Sequence, residues 1–308
     1  MPNASYLESN EGYASTKFNS IGFNDREPLL GKGLNRIFVV GDSYTEAFQV
    51  TKEKGYVQLL ENYLNKQGKE HTFDVIKIGR DGFYPAHYPF AIDRFFSTYS
   101  PDMILLQFGS HSSGDMYADD VLVSYENNEI ISIDIKSKKE YRQKEILRPI
   151  INNSALLFFL MRKYKANVEQ LLDNFRTLFR DAKSNKRHDN KKKKSLEDRI
   201  LRLDYVISQI EKLGVKVVLF YIPRPGSYLK PDKREESATL MALSEIAKKR
   251  SMLLINLTDD FKNHYRIKNE YLNGFSNTLP ATGHLNTTGH KVAAESIYKV
   301  LSGPLTVF

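Results

Sequence analysis

The chain contains no cysteine. That absence removes disulfides, thiolate metal sites and cysteine nucleophiles together. It leaves the compartment open, because a cysteine-free protein tolerates oxidising and reducing surroundings alike. No apolar run approaches the roughly 18 residues needed to cross a bilayer. The opening MPNASYLESNEGYAS has neither the basic n-region nor the apolar h-region of a secretory signal. A start this polar and irregular also suits the boundary of a longer, extracytoplasmic precursor whose anchor or signal lies outside this chain. A glycine-rich phosphate loop is missing too, since GKGLN precedes a strand instead of following one. No two histidines stand at metal-ligand spacing with a carboxylate in an HExxH-like arrangement. Neither a cofactor nor a metal is therefore expected, and no internal repeat is evident.

What is present suffices for a sizeable core: 308 residues, 41% hydrophobic and 27% charged, which excludes disorder throughout. The net charge of +8 would suit an anionic partner. Much of the excess sits in Lys183 to Lys194 (KSNKRHDNKKKK), which reads as a solvated loop. No nucleic-acid motif accompanies it, so nucleic acid is not an expected partner. A weak contact with an anionic surface through that loop is compatible with any of the functions below.

Residues 1–33 are polar and rich in Asn, Ser and Gly, and read as an N-terminal arm or irregular lead-in. From residue 34 to 308 the pattern is that of one α/β domain. Arg36 to Val40, Phe73 to Ile78, Met103 to Phe108, Lys216 to Ile222 and Met252 to Leu257 are short apolar runs of the kind that buried parallel strands require. Between and after them, helical spacing appears at Tyr56 to Gln67, Ala86 to Thr98, Leu196 to Leu213, Ser237 to Arg250 and His290 to Leu301. Alternation of this kind predicts a doubly wound, mostly parallel five-stranded sheet flanked by helices. Residues 114–195 break the rhythm. They contain a candidate hairpin (VLVSYENNEIISIDI, turning at Asn127-Asn128) and a helical stretch from Asn152 to Asp181, and read as a cap insertion over the sheet. The eighteen tyrosines and eighteen phenylalanines are expected mostly to fill core and cap.

In open α/β sheets ligands bind beyond the carboxyl ends of the strands. The first strand runs straight into Gly41-Asp42-Ser43-Tyr44-Thr45-Glu46, which places Ser43 there at the start of a helix. A nucleophile at that point would have a free backbone N–H and the partial positive charge of a helix terminus beside it. Alone, the same turn is also what an ordinary helix cap looks like. The far end of the chain supplies a partner. Gly283-His284-Leu285-Asn286-Thr287-Thr288-Gly289-His290 precedes the last helix, and a serine hydroxyl needs such a base because it is a weak nucleophile at neutral pH. His290 starts the helix and reads as a packing or capping residue, which leaves His284 as the base. Asp259-Asp260 reads as a turn after a strand instead of paired acids.

These segments together resemble the SGNH/GDSL hydrolase family. GDSYTE is similar to its first block, IGRDGFYP to its glycine block and GHLNTTGHKVAAE to its last, in the family's order. NSIGFNDREP before the first strand, with a long insertion after the third, resembles a bacterial branch associated with surface polysaccharides. The resemblance implies Ser43 as nucleophile, His284 as general base and acid, and an oxyanion hole using the N–H groups of Ser43 and Gly82. Gly82 has a second reading as the turn residue of Arg80-Asp81-Gly82. The family's asparagine donor after the third strand is absent from Gly109-Ser110-His111-Ser112-Ser113-Gly114-Asp115, and Ser112 stands nearest its place. The aspartate expected two or three residues before the base is replaced by Ala281 and Thr282, which reduces the triad to a dyad unless a backbone carbonyl or a carboxylate from elsewhere takes the role.

The implied function is an ester hydrolase or O-acyltransferase acting through an acyl-enzyme, with an acylated, usually acetylated, carbohydrate or polysaccharide as substrate. The alternative is a degenerate glycan-binding module that keeps the fold while its catalytic blocks decay, which the two departures favour.

Overall fold

A computed structural model of the protein describes residues 2–31, 33–66, 72–109, 121–127, 129–135, 196–229 and 237–303. The lead-in carries a short antiparallel pair, β1 (Ser5–Glu8) and β2 (Ala14–Lys17), where the sequence reads as irregular. There follow β3 (Leu34–Gly41), α1 (Ser43–Glu46), α2 (Tyr56–Asn65), β4 (Thr72–Gly79), α3 (Tyr88–Tyr99) and β5 (Met103–Gly109). A hairpin of β6 (Val121–Glu126) and β7 (Glu129–Ile135) comes next. The chain is described again from α4 (Leu196–Glu211) through β8 (Lys216–Ile222), α5 (Pro225–Leu229), α6 (Ala238–Arg250), β9 (Leu253–Asn256), α7 (Thr258–Lys268) and α8 (Thr287–Leu301).

Five of these strands form one sheet in the order β4-β3-β5-β8-β9, and every pairing is parallel. Numbered within the sheet this is 2-1-3-4-5, a doubly wound order whose direction reverses beside β3. The two-residue period of a strand divides the apolar runs between two faces. Phe38, Val40, Ile104, Leu106, Leu219 and Tyr221 pack under α3, α4 and α6. Ile37, Val39, Leu105, Val218 and Phe220 pack under α2 and α8. Both faces are covered, so the strands are mostly apolar, and all seven residues of β5, Gln107 among them, are buried.

The edge strand β4 shows how the lead-in is used. Its outward N–H groups at Phe73, Val75 and Lys77 donate to Asn65 Oδ1 (2.8 Å), Glu61 Oε2 (2.8 Å) and Asp25 Oδ2 (3.0 Å). Side chains thereby satisfy an edge that would otherwise be an open template for pairing. The fully buried Lys77 Nζ donates to the Asn24 carbonyl at 2.6 Å, and Arg26 bridges Glu61 and Asp74. The segment NSIGFNDREP is thus a strap along β4.

Two expectations differ in detail. Asp259 and Asp260 lie in the first turn of α7, where helix N–H groups favour carboxylates, and do not form a turn after a strand. The last helix starts at Thr287, with Asn286 Oδ1 accepting from Gly289 N–H at 3.0 Å, so His290 lies inside its first turn. The hairpin is present at 121–135, with Asn127 at φ +49°. The chain separates into a unit of Met1–Ile133 with Lys194–Phe308 and a second unit, Asp134–Lys193. The helical stretch Asn152 to Asp181 and the loop Lys183 to Lys194 lie outside the described residues.

Candidate active site

The turn after β3 is built so that only glycine fits at its start: a Cβ on Gly41 would overlap Thr45 Oγ1 and sit 2.5 Å from Gln107 Oε1. Gln107, on the neighbouring strand β5, accepts from Asp42 N–H at 3.0 Å and from Thr45 Oγ1 at 3.2 Å. Asp42 caps α1, its Oδ1 accepting from Tyr44 N–H at 2.9 Å. Ser43 follows, half-buried, at the carboxyl end of the sheet. α1 is a single turn that ends at Ala47 with φ +56°, too short to carry the dipole expected of a helix terminus. Any help it gives an oxyanion comes from its N–H groups alone.

His284 reaches Ser43 from 241 residues away: His284 Nε2 lies 2.8 Å from Ser43 Oγ. Its loop is held to residues 272–274 by Gly274 N–H to the His284 carbonyl (3.1 Å) and Asn286 N–H to the Leu272 carbonyl (3.1 Å). The Tyr44 ring lies 5.6 Å from the imidazole, centroid to centroid. On the other side of the ring stands Glu11, in the connection between β1 and β2. Its Oε2 is 2.6 Å from His284 Nδ1, and its Oε1 accepts from the His284 backbone N–H at 2.5 Å. A carboxylate can only accept, so Nδ1 carries the proton and Nε2 is left to accept from the serine hydroxyl.

The electrostatics follow this geometry. Burial would lower the His284 pKa, but the Glu11 hydrogen bond and charge, helped by the charges of Asp81 and Asp42, outweigh it and leave the pKa above 6.5. For Glu11 burial acts to raise the pKa, and the two bonds and the charge of His284 outweigh it and leave it below 4.5. His290 differs in every respect. It is buried, stacks on Tyr56 at 5.9 Å, accepts from Tyr56 N–H through Nδ1 at 3.3 Å, and is pushed by burial and the Lys77 charge down to about 3.

Gly82 lies on the loop after β4, beside the turn after β3; Gly41 and Gly79 are partners in the β3–β4 register. The loop is tied to that turn twice, by Arg80 N–H to the Gly41 carbonyl (3.3 Å) and by Asp81 N–H to Glu46 Oε2 (2.6 Å). Gly82 has φ +77° and open space where a Cβ would stand, so the turn explains its identity. Among the described residues, neither the Ser43 N–H nor the Gly82 N–H has a hydrogen-bond partner. Ser112 lies outside the described residues. Sequence reasoning missed Glu11, Glu46 and Gln107. No local motif marks Glu11, whereas Glu46 stands inside the GDSYTE block.

No family model matches the chain, and no curated protein does. Among solved structures, an acetyl xylan esterase, AlAXEase, is similar at 14% identity and a TM-score of 0.47, over 86% of this chain and 99% of that one. A member of the lipolytic protein G-D-S-L family from Veillonella parvula DSM 2008 is similar at 12% identity and a TM-score of 0.48, over 87% and 98%. A catalytic mutant of Axe2, an acetylxylan esterase from Geobacillus stearothermophilus, matches at 12% identity and a TM-score of 0.46, over 89% and 96%.

Proposed function

We propose that the protein is a serine-dependent ester hydrolase or O-acyltransferase of the SGNH/GDSL type. The observation that carries the reading is the 2.8 Å approach of His284 Nε2 to Ser43 Oγ at the carboxyl end of a doubly wound sheet. The hydroxyl proton passes to His284 as Ser43 Oγ attacks the acyl carbonyl carbon. The oxygen of the tetrahedral intermediate takes up the charge, and the N–H groups of Ser43 and Gly82 are the donors offered to it. Collapse expels the alcohol, which receives its proton from His284, and leaves the acyl group on Ser43. Water or a sugar hydroxyl then repeats the sequence in reverse, so hydrolysis and transfer differ only in the acceptor. An acyl group on a carbohydrate, acetyl first, is the substrate class implied by the sequence resemblance.

The test is turnover of a small activated acetyl ester by the intact protein and by Ser43→Ala, both checked for folding by circular dichroism. Activity in the intact protein should fall at least about 10³-fold in the variant. Equal turnover in both would remove Ser43 from the mechanism.

A further inference from the structure

We infer that Glu11, delivered by the β1–β2 connection, is the positioning residue for His284 and takes the role for which the sequence offers no aspartate near the histidine. This rests on the esterase reading above. The usual neighbourhood of the base holds no carboxylate: Ala281, at φ +56°, donates its N–H to the Asn273 carbonyl at 3.1 Å, and the Thr282 hydroxyl donates to the Leu279 carbonyl at 2.6 Å. Glu11 instead grips the histidine twice, at the ring through Nδ1 and at the backbone through its N–H. Such a two-point bond sets the tautomer and the ring direction together, which is what a general base facing a serine requires.

The surroundings are shaped for this grip. Gly283 has φ +68°, and a Cβ there would overlap Glu11 Oε1, so the residue before the base must be glycine for the carboxylate to enter. The connection holding Glu11 is itself organised. Glu8 Oε1 accepts the N–H groups of Ser9 (2.9 Å), Asn10 (2.6 Å) and Glu11 (3.3 Å). Asn277, on the loop that leads to His284, accepts from Gly12 N–H at 2.8 Å and donates to the carbonyls of Ser9 (3.1 Å) and Gly12 (3.3 Å). The lead-in and the base loop are therefore tied by the Asn277 side chain next to the carboxylate–imidazole pair. Their side chains keep only 20% and 27% exposure, which limits competition from water. The other groups facing His284 are Asp81 after β4, Asp42 and Tyr44 at the nucleophile turn, and the neutral His290.

The experiment is Glu11→Gln in the full chain, read in two ways. The first follows the His284 imidazole by NMR titration in a Ser43→Ala background, which needs no turnover. Its pKa should fall by about 1 to 3 pH units when the carboxylate charge is removed. The second is ester hydrolysis, where kcat should drop about 10² to 10⁴-fold with KM little changed, and the acid limb of the pH profile should move to lower pH. A merely structural role would leave the titration and the limb in place. An unchanged titration, or an unchanged kcat, overturns the assignment. Should the intact protein not hydrolyse the ester, the proposed function fails, and the titration alone decides whether Glu11 holds His284.

Discussion

His284 and His290 begin with the same side chain and end as opposite devices, because one is paired with a carboxylate and the other is walled in. Among the described residues no carboxylate compensates the burial of His290, so the neutral imidazole is favoured in the folded protein; its pKa is about 3 against 6.5 when unfolded. Between those values the unfolded chain binds a proton that the native state refuses. Its contribution is therefore harmless above pH 6.5 and costs about 1.4 kcal/mol for each pH unit below that, down to pH 3. Removing the titrating group isolates this slope from that of Glu46. The stability of the natural chain relative to His290→Asn should fall by about 1 kcal/mol between pH 6.5 and 5.5 in urea denaturation. A difference independent of pH would mean that the imidazole is hydrated after all. The sequence distinguished the two histidines by position alone, one in a loop and one on a helix. The environments that make them different come from Tyr56, Lys77 and Glu11, all more than two hundred residues away along the chain.

Two loops that follow adjacent strands hold the proposed oxyanion donors, and a single side chain joins them. Glu46 ends α1 and accepts from Asp81 N–H at 2.6 Å, so the turn bearing Ser43 and the loop bearing Gly82 share an anchor. Burial pushes the Glu46 pKa up to about 7, moderated by the Asp81 N–H and by Arg80 and Lys77, and reinforced by the Asp81 charge. What this anchor needs is an acceptor, and charge is secondary. Glu46→Gln should keep kcat within about threefold, since an amide oxygen can take the same bond. Glu46→Leu leaves the Asp81 N–H unsatisfied and the loop held to the turn only by the Arg80 N–H bond to the Gly41 carbonyl, and should lower kcat by up to about 10²-fold, the size of effect that a 1 Å misplacement produces. Steady-state kinetics on the activated ester checks both, and equal kcat in the leucine variant would show that the backbone bond holds the Gly82 loop without Glu46. Glu46 was visible as part of GDSYTE, yet its task was not, because the partner N–H belongs to another strand's loop.

At the scale of the molecule residues 9–12 meet residues 277–284, and the lead-in serves both the proposed chemistry and the fold. Residues 24–26 satisfy the exposed edge of β4 and compensate the buried Lys77, while Glu11 sits against the base. Burial raises the Asp25 pKa and lowers that of Lys77, each group weakening the other's shift. Removing one member of such a pair is costlier than never having it. Asp25→Ala should lower unfolding stability by roughly 3–5 kcal/mol, measured by urea denaturation, with the Asp25→Ala, Lys77→Met double variant recovering only the part due to the lysine charge, because the Lys77 N–H still lacks its acceptor. A single variant as stable as the natural chain would show that water reaches Lys77. Sequence by itself determined the five core strands, the helices that alternate with them and the positions of Ser43, His284 and Gly82. A strand buried on both faces is mostly apolar, with the few exceptions here, Asp74, Lys77 and Gln107, held by polar partners, and residues offered at strand ends leave short local motifs. The hairpin in the lead-in, the strap along β4, the anchor at Glu46 and the carboxylate behind His284 were decided only by the tertiary structure. A hydrogen bond that spans 273 residues of chain has no period, spacing or neighbour in the sequence to announce it.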